Sequence, residues 1–380
     1  MKIPFARPII GNTEISSVNK VLKSGILTHG PYSKKFEKEF SNFTGIKNIL
    51  AISSCTSALL TSYFLSGLNK DSEFIVPAQT HVATVHAGTF LGAKPIFVDC
   101  EKDTGNIDVD LIEKKITKKT KSITIVHYLG RPVKMDKVLN LCRKYNLKLI
   151  EDCALALGAK YKNKHVGSFG DFACFSFYPA KHIATGDGGI LICKSKEHLN
   201  KAKLFKGFGV DKTFDQRKIP GEYDVLTIGL NFRMTEMQCA LGIEQLKRLK
   251  KFIKKRKNNF NFLKKEIDRM QNITVISTQS NNKFSSSYYC LSILLEDHLR
   301  TKRKKIIEYL NNQGIGTSIY YPKILPELSY YKKIYKINKK KFINADNISN
   351  YSICLPIGPH VNKKNLQHII NKLYEINKLK

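Results

Sequence analysis

The sequence predicts an α/β fold with a mainly parallel sheet that is covered by helices on both faces. Short apolar runs bounded by Gly and Pro alternate with helical patterns through the first 150 residues. This alternation is typical of strands joined by crossover helices. The length of 380 residues is enough for a large core and suggests two domains.

The elements follow in order along the chain. Strands are predicted at 48–52, 74–76, 95–98, 123–126 and 147–150. Helices are predicted at 13–24, 32–43, 56–65, 82–91, 110–116 and 136–145. Ligands of such sheets bind at the carboxyl ends of the strands, so the residues that follow each strand deserve inspection.

The most informative stretch is 172–193, where two apolar runs flank a segment rich in Gly and containing Lys181. Both runs are predicted as buried strands, which puts Lys181 on a tight connection between them. Partial desolvation there would lower the pKa of the lysine and free its amine to attack carbonyl groups. A lysine on an ordinary surface turn is the alternative.

Four further groups follow predicted strands, lie close to Lys181 in the sequence or precede a helix. A turn rich in hydroxyl groups opens the helix after the first strand and comprises Ser54, Cys55, Thr56 and Ser57. Such a turn can bind a phosphate, but it can equally be an ordinary helix cap. Asp152 follows a strand and could pair with a buried cation or be a structural acid. Ser176 could add a hydroxyl to an anion site, and Asn231 precedes a long amphipathic helix.

Together these groups describe one ligand. Lys181 requires an aldehyde, Asp152 a ring nitrogen, and the turn at Ser54 with Ser176 a phosphate. Pyridoxal phosphate carries all three groups.

With these residues in this order, the chain resembles the DegT family of pyridoxal-phosphate-dependent sugar aminotransferases. The matching segments run nearly end to end: 3–5, 24–28, 30–31, 92–95, 98–99, 151–152, 176–189, 229–236 and 355–356. The resemblance implies the fold-type I architecture. A large cofactor-binding α/β domain with an amino-terminal arm would cover residues 1–246, and a smaller α+β domain would cover residues 247–380.

The resemblance also implies roles for individual residues. Lys181 matches the lysine that forms a Schiff base with the cofactor, and Asp152 matches the carboxylate that keeps the pyridine nitrogen protonated. Four residues match phosphate-binding positions: Ser54, Thr56, Ser57 and Ser176. Asn231 matches a residue that reaches the cofactor phosphate of the neighbouring subunit, which implies a homodimer with shared active sites.

Three positions depart from the family pattern. Cys55 stands where the family often has Gly; a thiol at a helix N-terminus would have a lowered pKa, although a small residue beside the phosphate is the simpler interpretation. His81 replaces the aromatic residue that stacks on the cofactor ring. Leu155 replaces a Gln that contacts the phenolic oxygen of the cofactor.

His182, the neighbour of Lys181, is interpreted as a structural residue.

The implied reaction moves an amino group from an amino acid, most simply glutamate, to a nucleotide-linked keto-sugar. Lys181 would act as general base and acid. The connection from Lys181 to Gly186 has the compact length found in family members that aminate C4 rather than C3, which predicts a C4 product. The alternatives are a sugar dehydratase of the same family and a catalytically silent nucleic-acid-binding regulator.

Bulk properties narrow the class of protein further. The formal charge is +33, but the lysines are spread widely without an aromatic-basic signature, so nucleic-acid binding is disfavoured. No apolar run could span a membrane, and no secretory signal is recognised. The nine cysteines are scattered singly, which predicts a cytoplasmic protein with no disulfide framework and no metal site.

Overall fold

The computed structural model describes residues 1–212, 216–277, 280–335 and 341–379. The described strands, in chain order, are β1 (Ile49–Ile52), β2 (Glu73–Pro77), β3 (Lys94–Val98), β4 (Thr120–Val126), β5 (Lys148–Asp152), β6 (Lys160–Tyr161), β7 (Lys164–His165), β8 (Phe172–Ser176), β9 (Gly189–Cys193), β10 (Ile273–Val275), β11 (Phe284–Ser285), β12 (Leu291–Leu295) and β13 (Ser352–Leu355).

The described α-helices are α1 (Asn12–Ser24), α2 (Pro31–Thr44), α3 (Cys55–Leu65), α4 (Val82–Phe90), α5 (Met135–Tyr145), α6 (Lys196–Lys206), α7 (Glu236–Ile267), α8 (Arg303–Asn312), α9 (Ser329–Tyr335), α10 (Ile343–Tyr351) and α11 (Lys363–Asn377). Among these helices, none combines the length and the apolar character that crossing a bilayer requires. The helix predicted at 110–116 is wrong. Two short 3₁₀ turns, Val109–Leu111 and Glu113–Lys115, stand there. Of residues 110–116 only Ile112 is fully buried, so no apolar face of helical spacing holds a longer helix.

The central sheet has seven strands in the order β1-β9-β8-β5-β4-β2-β3. The strands from β8 to β3 are parallel, whereas β9 runs antiparallel to both of its neighbours. Since β1 and β8 both oppose β9, the carboxyl ends of β1, β5 and β8 lie at the same edge. The predicted mainly parallel sheet is confirmed, and its carboxyl edge brings together the residues predicted to form the site.

Alternating side chains of the strands enter two different cores. On one face, Leu50, Cys174 and Leu191 pack in a cluster with residues of α3 and α4. On the other face, residues one position along the strands pack with Phe36 of α2 and Ile243 of α7. Helices therefore cover both faces of the sheet, as the alternation of elements predicts.

The carboxyl-terminal part of the chain has its own hydrophobic cluster. The antiparallel sheet β10-β12-β13 packs with α8, α11 and the end of α7. The amino-terminal arm joins it, because the Ile3 N–H donates to the Gly314 carbonyl at 2.7 Å and Ile3 is buried in the same cluster. Residue 246 lies inside the continuous helix α7, and the division of the chain there stays a prediction.

Candidate active site

A cavity of about 430 Å³ opens at the carboxyl edge of β1, β5 and β8. Seven of the nine predicted site residues line it: Ser54, Cys55, Thr56, His81, Asp152, Ser176 and Lys181. Ser57 and Asn231 do not line it. The seven residues extend from Ser54 to Lys181, which are 127 positions apart in the sequence, and the fold brings them to one cavity.

Lys181 lies on the segment between β8 and β9. This connection covers residues 177–188 and is therefore longer than the tight turn that the sequence suggests. The amine lies 5.4 Å from the centre of the Tyr289 ring. Burial lowers the pKa of Lys181, and the nearby Cys55 and Asp152 oppose that shift only in part. A larger fraction of this amine is therefore uncharged at neutral pH than in an ordinary lysine.

Asp152 ends β5 with its carboxylate inside the cavity wall. Thr84 Oγ1 donates to Asp152 Oδ2 at 2.8 Å, and the Ala154 N–H donates to Oδ1 at 3.0 Å. Thr80 Oγ1 lies 2.9 Å from Thr84 Oγ1 and continues the network. Donors on both oxygens fix the orientation of the carboxylate, which is what pairing with a protonated ring nitrogen requires.

Glu151, the preceding residue, faces the opposite side of β5. Its Oε1 accepts the N–H groups of Phe169 and Gly170, and its Oε2 accepts the Gly167 N–H at 2.8 Å. Because His127 Nδ1 accepts the Val133 N–H, the other ring nitrogen carries the proton and donates to Glu151 at 3.1 Å.

His127, Glu151 and Cys153 offer metal-binding atoms within 4.8 Å of one another. The hydrogen bonds just described already occupy the imidazole and the carboxylate. This cluster therefore holds β5 against the turn at residues 167–170, and it acts as a structural network. The two adjacent acids have different tasks because successive side chains of a strand point to opposite faces.

The amino end of α3 lines one side of the cavity. Ser54 is the N-cap, and its Oγ accepts the Ser57 N–H at 3.0 Å. The Ser57 hydroxyl lies 2.6 Å from Ser54 Oγ and 2.8 Å from Ser53 Oγ, so it braces the turn from inside. Gly189 allows the close approach of this turn, since a Cβ there would lie 2.8 Å from the Cys55 nitrogen.

Cys55 is a buried thiol. Burial raises its pKa well above the ordinary value, and the charge of Asp152 raises it further. The lowered pKa considered for a thiol at a helix N-terminus is therefore wrong, because desolvation outweighs the favourable end of the helix. The simpler interpretation, a small residue beside the phosphate, stays a prediction.

His81 and Leu155 line the cavity at two positions that depart from the family pattern. His81 caps α4, with its Nδ1 accepting the Ala83 N–H at 3.2 Å, and its ring tilts against Tyr321 at 5.7 Å between centroids. Burial lowers the pKa of His81, and the charge of Lys181 lowers it further, so the ring is neutral at pH 7. Leu155 is buried and apolar.

Three tyrosines from the carboxyl-terminal part form an aromatic wall, defined as Tyr289, Tyr320 and Tyr321. The hydroxyls of Tyr289 and Tyr320 are 2.7 Å apart, and the Tyr320 and Tyr321 rings meet edge to face at 5.2 Å. Tyr289 and Thr84 were missed. Thr84 sits one turn into a helix that begins at the sheet edge, which could have drawn attention to it.

His182 points away from the reacting groups. Its Nε2 lies 2.9 Å from the Ser287 carbonyl oxygen, and burial keeps its pKa well below the ordinary value. A neutral, buried imidazole bound to a backbone carbonyl agrees with the structural role expected for His182 from the sequence.

Asn231 lies on the exposed segment between α6 and α7. Its Oδ1 accepts the Arg233 N–H at 3.4 Å, and its side chain is exposed in the single chain. Several large apolar side chains on the same segment are also exposed: Phe208, Ile219, Tyr223, Val225, Leu226, Ile228 and Leu230. An apolar surface of this extent is typical of a contact with another protein chain.

The residues of the cavity fit pyridoxal phosphate. A desolvated amine, an oriented carboxylate and a helix N-terminus with hydroxyls match the aldehyde, the ring nitrogen and the phosphate. On this sheet, the arrangement defines a fold-type I enzyme that uses pyridoxal phosphate.

The comparison with known families agrees. The model of the DegT/DnrJ/EryC1/StrS aminotransferase family matches residues 8–374, and the chain belongs to that family. Among curated relatives, the UDP-4-amino-4,6-dideoxy-N-acetyl-beta-L-altrosamine transaminase of Campylobacter jejuni (serotype O:23/36) is 33% identical over 98% of this chain and 97% of its own length.

Solved structures show the same likeness. Helicobacter pylori PseC, an aminotransferase involved in the biosynthesis of pseudoaminic acid, superposes with a TM-score of 0.93 at 31% identity and full coverage of both chains. The PLP form of Spr1654 from Streptococcus pneumoniae gives a TM-score of 0.92 at 27% identity, covering 100% of this chain and 99% of that one. The family, the fold, the cofactor and the assignment as a sugar aminotransferase are confirmed.

Proposed function

We propose that this enzyme transfers an amino group from glutamate to C4 of a nucleotide-linked 4-keto-6-deoxy sugar, for the biosynthesis of a surface polysaccharide or another amino sugar. The observation that carries the proposal is the single cavity in which the desolvated amine of Lys181, the carboxylate of Asp152 and the amino end of α3 meet. These groups suit transfer of an amine rather than simple binding of a sugar.

Each residue has a proposed task. Pyridoxal phosphate, when bound, supplies an electron sink for the substrate carbon. Lys181 would hold the cofactor at rest, and its amine, when free, would act as the base and acid that carries a proton. Asp152, held by Thr84 and the Ala154 N–H, keeps the ring nitrogen protonated. Ser54, Thr56 and Ser176 bind the phosphate, with Ser57 bracing the turn.

The choice of C4 is supported by the compact connection from Lys181 to Gly186. The Campylobacter relative, whose name contains a 4-amino-4,6-dideoxy sugar, points the same way. The test is NMR of the product made from nucleotide-linked 4-keto and 3-keto sugars with glutamate. A new C–N bond at C4 supports the proposal, whereas a C3 product alone refutes it. A deoxy sugar without added nitrogen would instead support a dehydratase.

Glutamate as donor rests on the family resemblance alone. A panel of amino acids in single-turnover reactions tests it, read by loss of absorbance of the lysine–cofactor adduct. We expect glutamate to be consumed fastest. A different amino acid that reacts at least tenfold faster would replace glutamate and leave the sugar assignment intact.

We also propose a homodimer in which Asn231 contributes to the cofactor phosphate site of the partner. The exposed apolar side chains around residues 208–230 support a contact between copies. A mixture of inactive Lys181→Ala and Asn231→Ala chains, unfolded and refolded together, should regain activity, because one mixed site then has both residues. A fully active monomer in light scattering would refute the shared site.

A cytoplasmic location completes the proposal. All nine cysteines are free and buried thiols, which agrees with a reducing compartment. Fractionation of the native host, with detection of the chain in the soluble fraction, tests this placement.

A further inference from the structure

The amine of Lys181 lies over the Tyr289 ring. The amine is 5.4 Å from the ring centre, within the range of a cation–π interaction. Within the described ranges, Lys181 Nζ has no hydrogen bond to another protein group, so no such bond fixes the position of the amine. Tyr289 is 3% exposed and lines the cavity.

The ring is held in place from several directions. Its hydroxyl lies 2.7 Å from the Tyr320 hydroxyl, and the two rings meet edge to face at 5.3 Å. The His182 ring packs against it at 5.7 Å. Arg256 Nη1 donates to the Tyr289 carbonyl at 2.6 Å, which ties the residue to α7. A ring fixed in this way offers the amine one defined position.

The amine needs such a position whenever it is free. Four rotatable bonds join a lysine amine to its backbone, and holding them in one arrangement has an entropic cost. A misplacement of about 1 Å at a reacting atom can reduce a rate on the order of a hundredfold.

We infer that Tyr289 is a positioning residue, whose ring face holds the Lys181 ammonium at the cavity wall when the lysine is not bonded to the cofactor. This inference rests on the proposed role of Lys181. The ring face attracts the charged form of the Lys181 amine and so holds it in place. Burial disfavours that charged form, so the amine still gives up its proton more readily than an ordinary lysine.

Other titratable groups also face this amine. They are Cys55 and Asp152 from the sheet edge, Cys290 beside the ring, His81 at the start of α4 and the neighbouring His182. All of these groups remain when Tyr289 is replaced. A change in the titration midpoint of Lys181 therefore measures the effect of the Tyr289 ring on the amine.

The test is the pH dependence of acetylation of Lys181 in full-length, cofactor-depleted protein, read by mass spectrometry of the peptide that contains it. Tyr289→Leu should lower the midpoint by about one pH unit, because the ammonium loses its ring partner. Tyr289→Phe retains the ring and should keep the wild-type midpoint. Equal midpoints for Tyr289→Leu and wild type, or equal shifts in both variants, would overturn the inference.

Replacement of a buried tyrosine by leucine can impair folding, so a second variant keeps the shape. Pentafluorophenylalanine at position 289, compared with Tyr289→Phe, removes the attraction of the ring for cations at nearly constant volume. It should lower the acetylation midpoint and reduce kcat roughly tenfold or more with KM little changed. An unchanged midpoint overturns the inference.

Borohydride labelling separates this inference from the proposed function. If the reduced cofactor appears on Lys181 and the position 289 variants titrate like wild type, only the role of Tyr289 fails. If Lys181 carries no cofactor in wild-type enzyme, the proposed function fails first.

Discussion

The cavity has two walls of different origin. The polar wall, defined as Lys181, Asp152, Thr84 and the amino end of α3, belongs to the seven-stranded sheet and the helices packed on it. The aromatic wall comes from the loop before β12 and from the segment at residues 320–321. In the proposed function, the first wall supplies charge and protons, and the second mainly supplies shape. Changes in the polar wall should therefore reduce kcat. In the aromatic wall, a change at Tyr321 should act more on substrate affinity, whereas a change at Tyr289 should act through the position of Lys181.

Loss of the lysine should have the largest effect. Lys181→Ala removes both the covalent attachment and the proton carrier, so kcat should fall on the order of ten-thousandfold or more. Steady-state assays with glutamate and the keto-sugar measure it, with circular dichroism as the control for folding. Near-normal turnover without an added amine would contradict the role of this residue.

The two acids at the end of β5 give a matched comparison. Asp152→Asn should reduce kcat on the order of a hundred- to a thousandfold, because the ring nitrogen loses its charged partner. Glu151→Gln should instead cost about 3 kcal/mol of unfolding free energy, since an amide nitrogen would face N–H donors. Its folded fraction should keep normal specific activity.

Denaturant titration measures the unfolding free energy of both variants, and activity assays measure their kcat. If Glu151→Gln inactivates folded protein as strongly as Asp152→Asn does, the separation of the acids between two faces of the strand has no functional meaning.

A smaller effect is expected from the hydroxyl that orients Asp152. Thr84→Val removes the 2.8 Å hydrogen bond and should lower kcat roughly tenfold, the value of one hydrogen bond to a charged group. Thr61→Val is the control, because this buried hydroxyl donates to the Ser57 carbonyl within α3. Equal losses of kcat in both variants would show that Thr84 acts only through packing.

Tyr321, in the aromatic wall, should give the smallest change. Tyr321→Leu removes a ring that meets Tyr320 and His81, and KM for the sugar nucleotide should rise roughly two- to tenfold. The value of kcat should change less. A fall in kcat as large as that of Asp152→Asn, with KM constant, would remove the distinction between the walls.

The same contrast explains what the sequence could predict. The residues of the polar wall follow strands whose carboxyl ends meet at one edge, so Lys181, Asp152 and Ser54 could be inferred from local patterns. Tyr289 is 108 residues beyond Lys181 and reaches the cavity only through tertiary packing. Its immediate surroundings in the sequence contain no motif that marks it.

Which side chains are buried could not be predicted fully from the sequence, and two expectations were wrong for that reason. The position of Cys55 at a helix N-terminus suggests a low pKa, but complete desolvation reverses the sign. The helix expected at 110–116 is replaced by two 3₁₀ turns, since Ile112 alone of these residues is fully buried and no apolar face holds a longer helix. Both outcomes depend on which neighbours enclose a side chain, and only the folded chain specifies them.

The most direct measurement is borohydride reduction of the purified enzyme, followed by peptide mass spectrometry. Reduction should fix one cofactor per chain to the amine of Lys181, and Lys181→Ala should remove that label. Because its pKa is lowered, Lys181 should also take up added pyridoxal phosphate well below the pH at which ordinary lysines react. A reduced cofactor on another lysine, or no label on folded protein saturated with cofactor, would contradict the account.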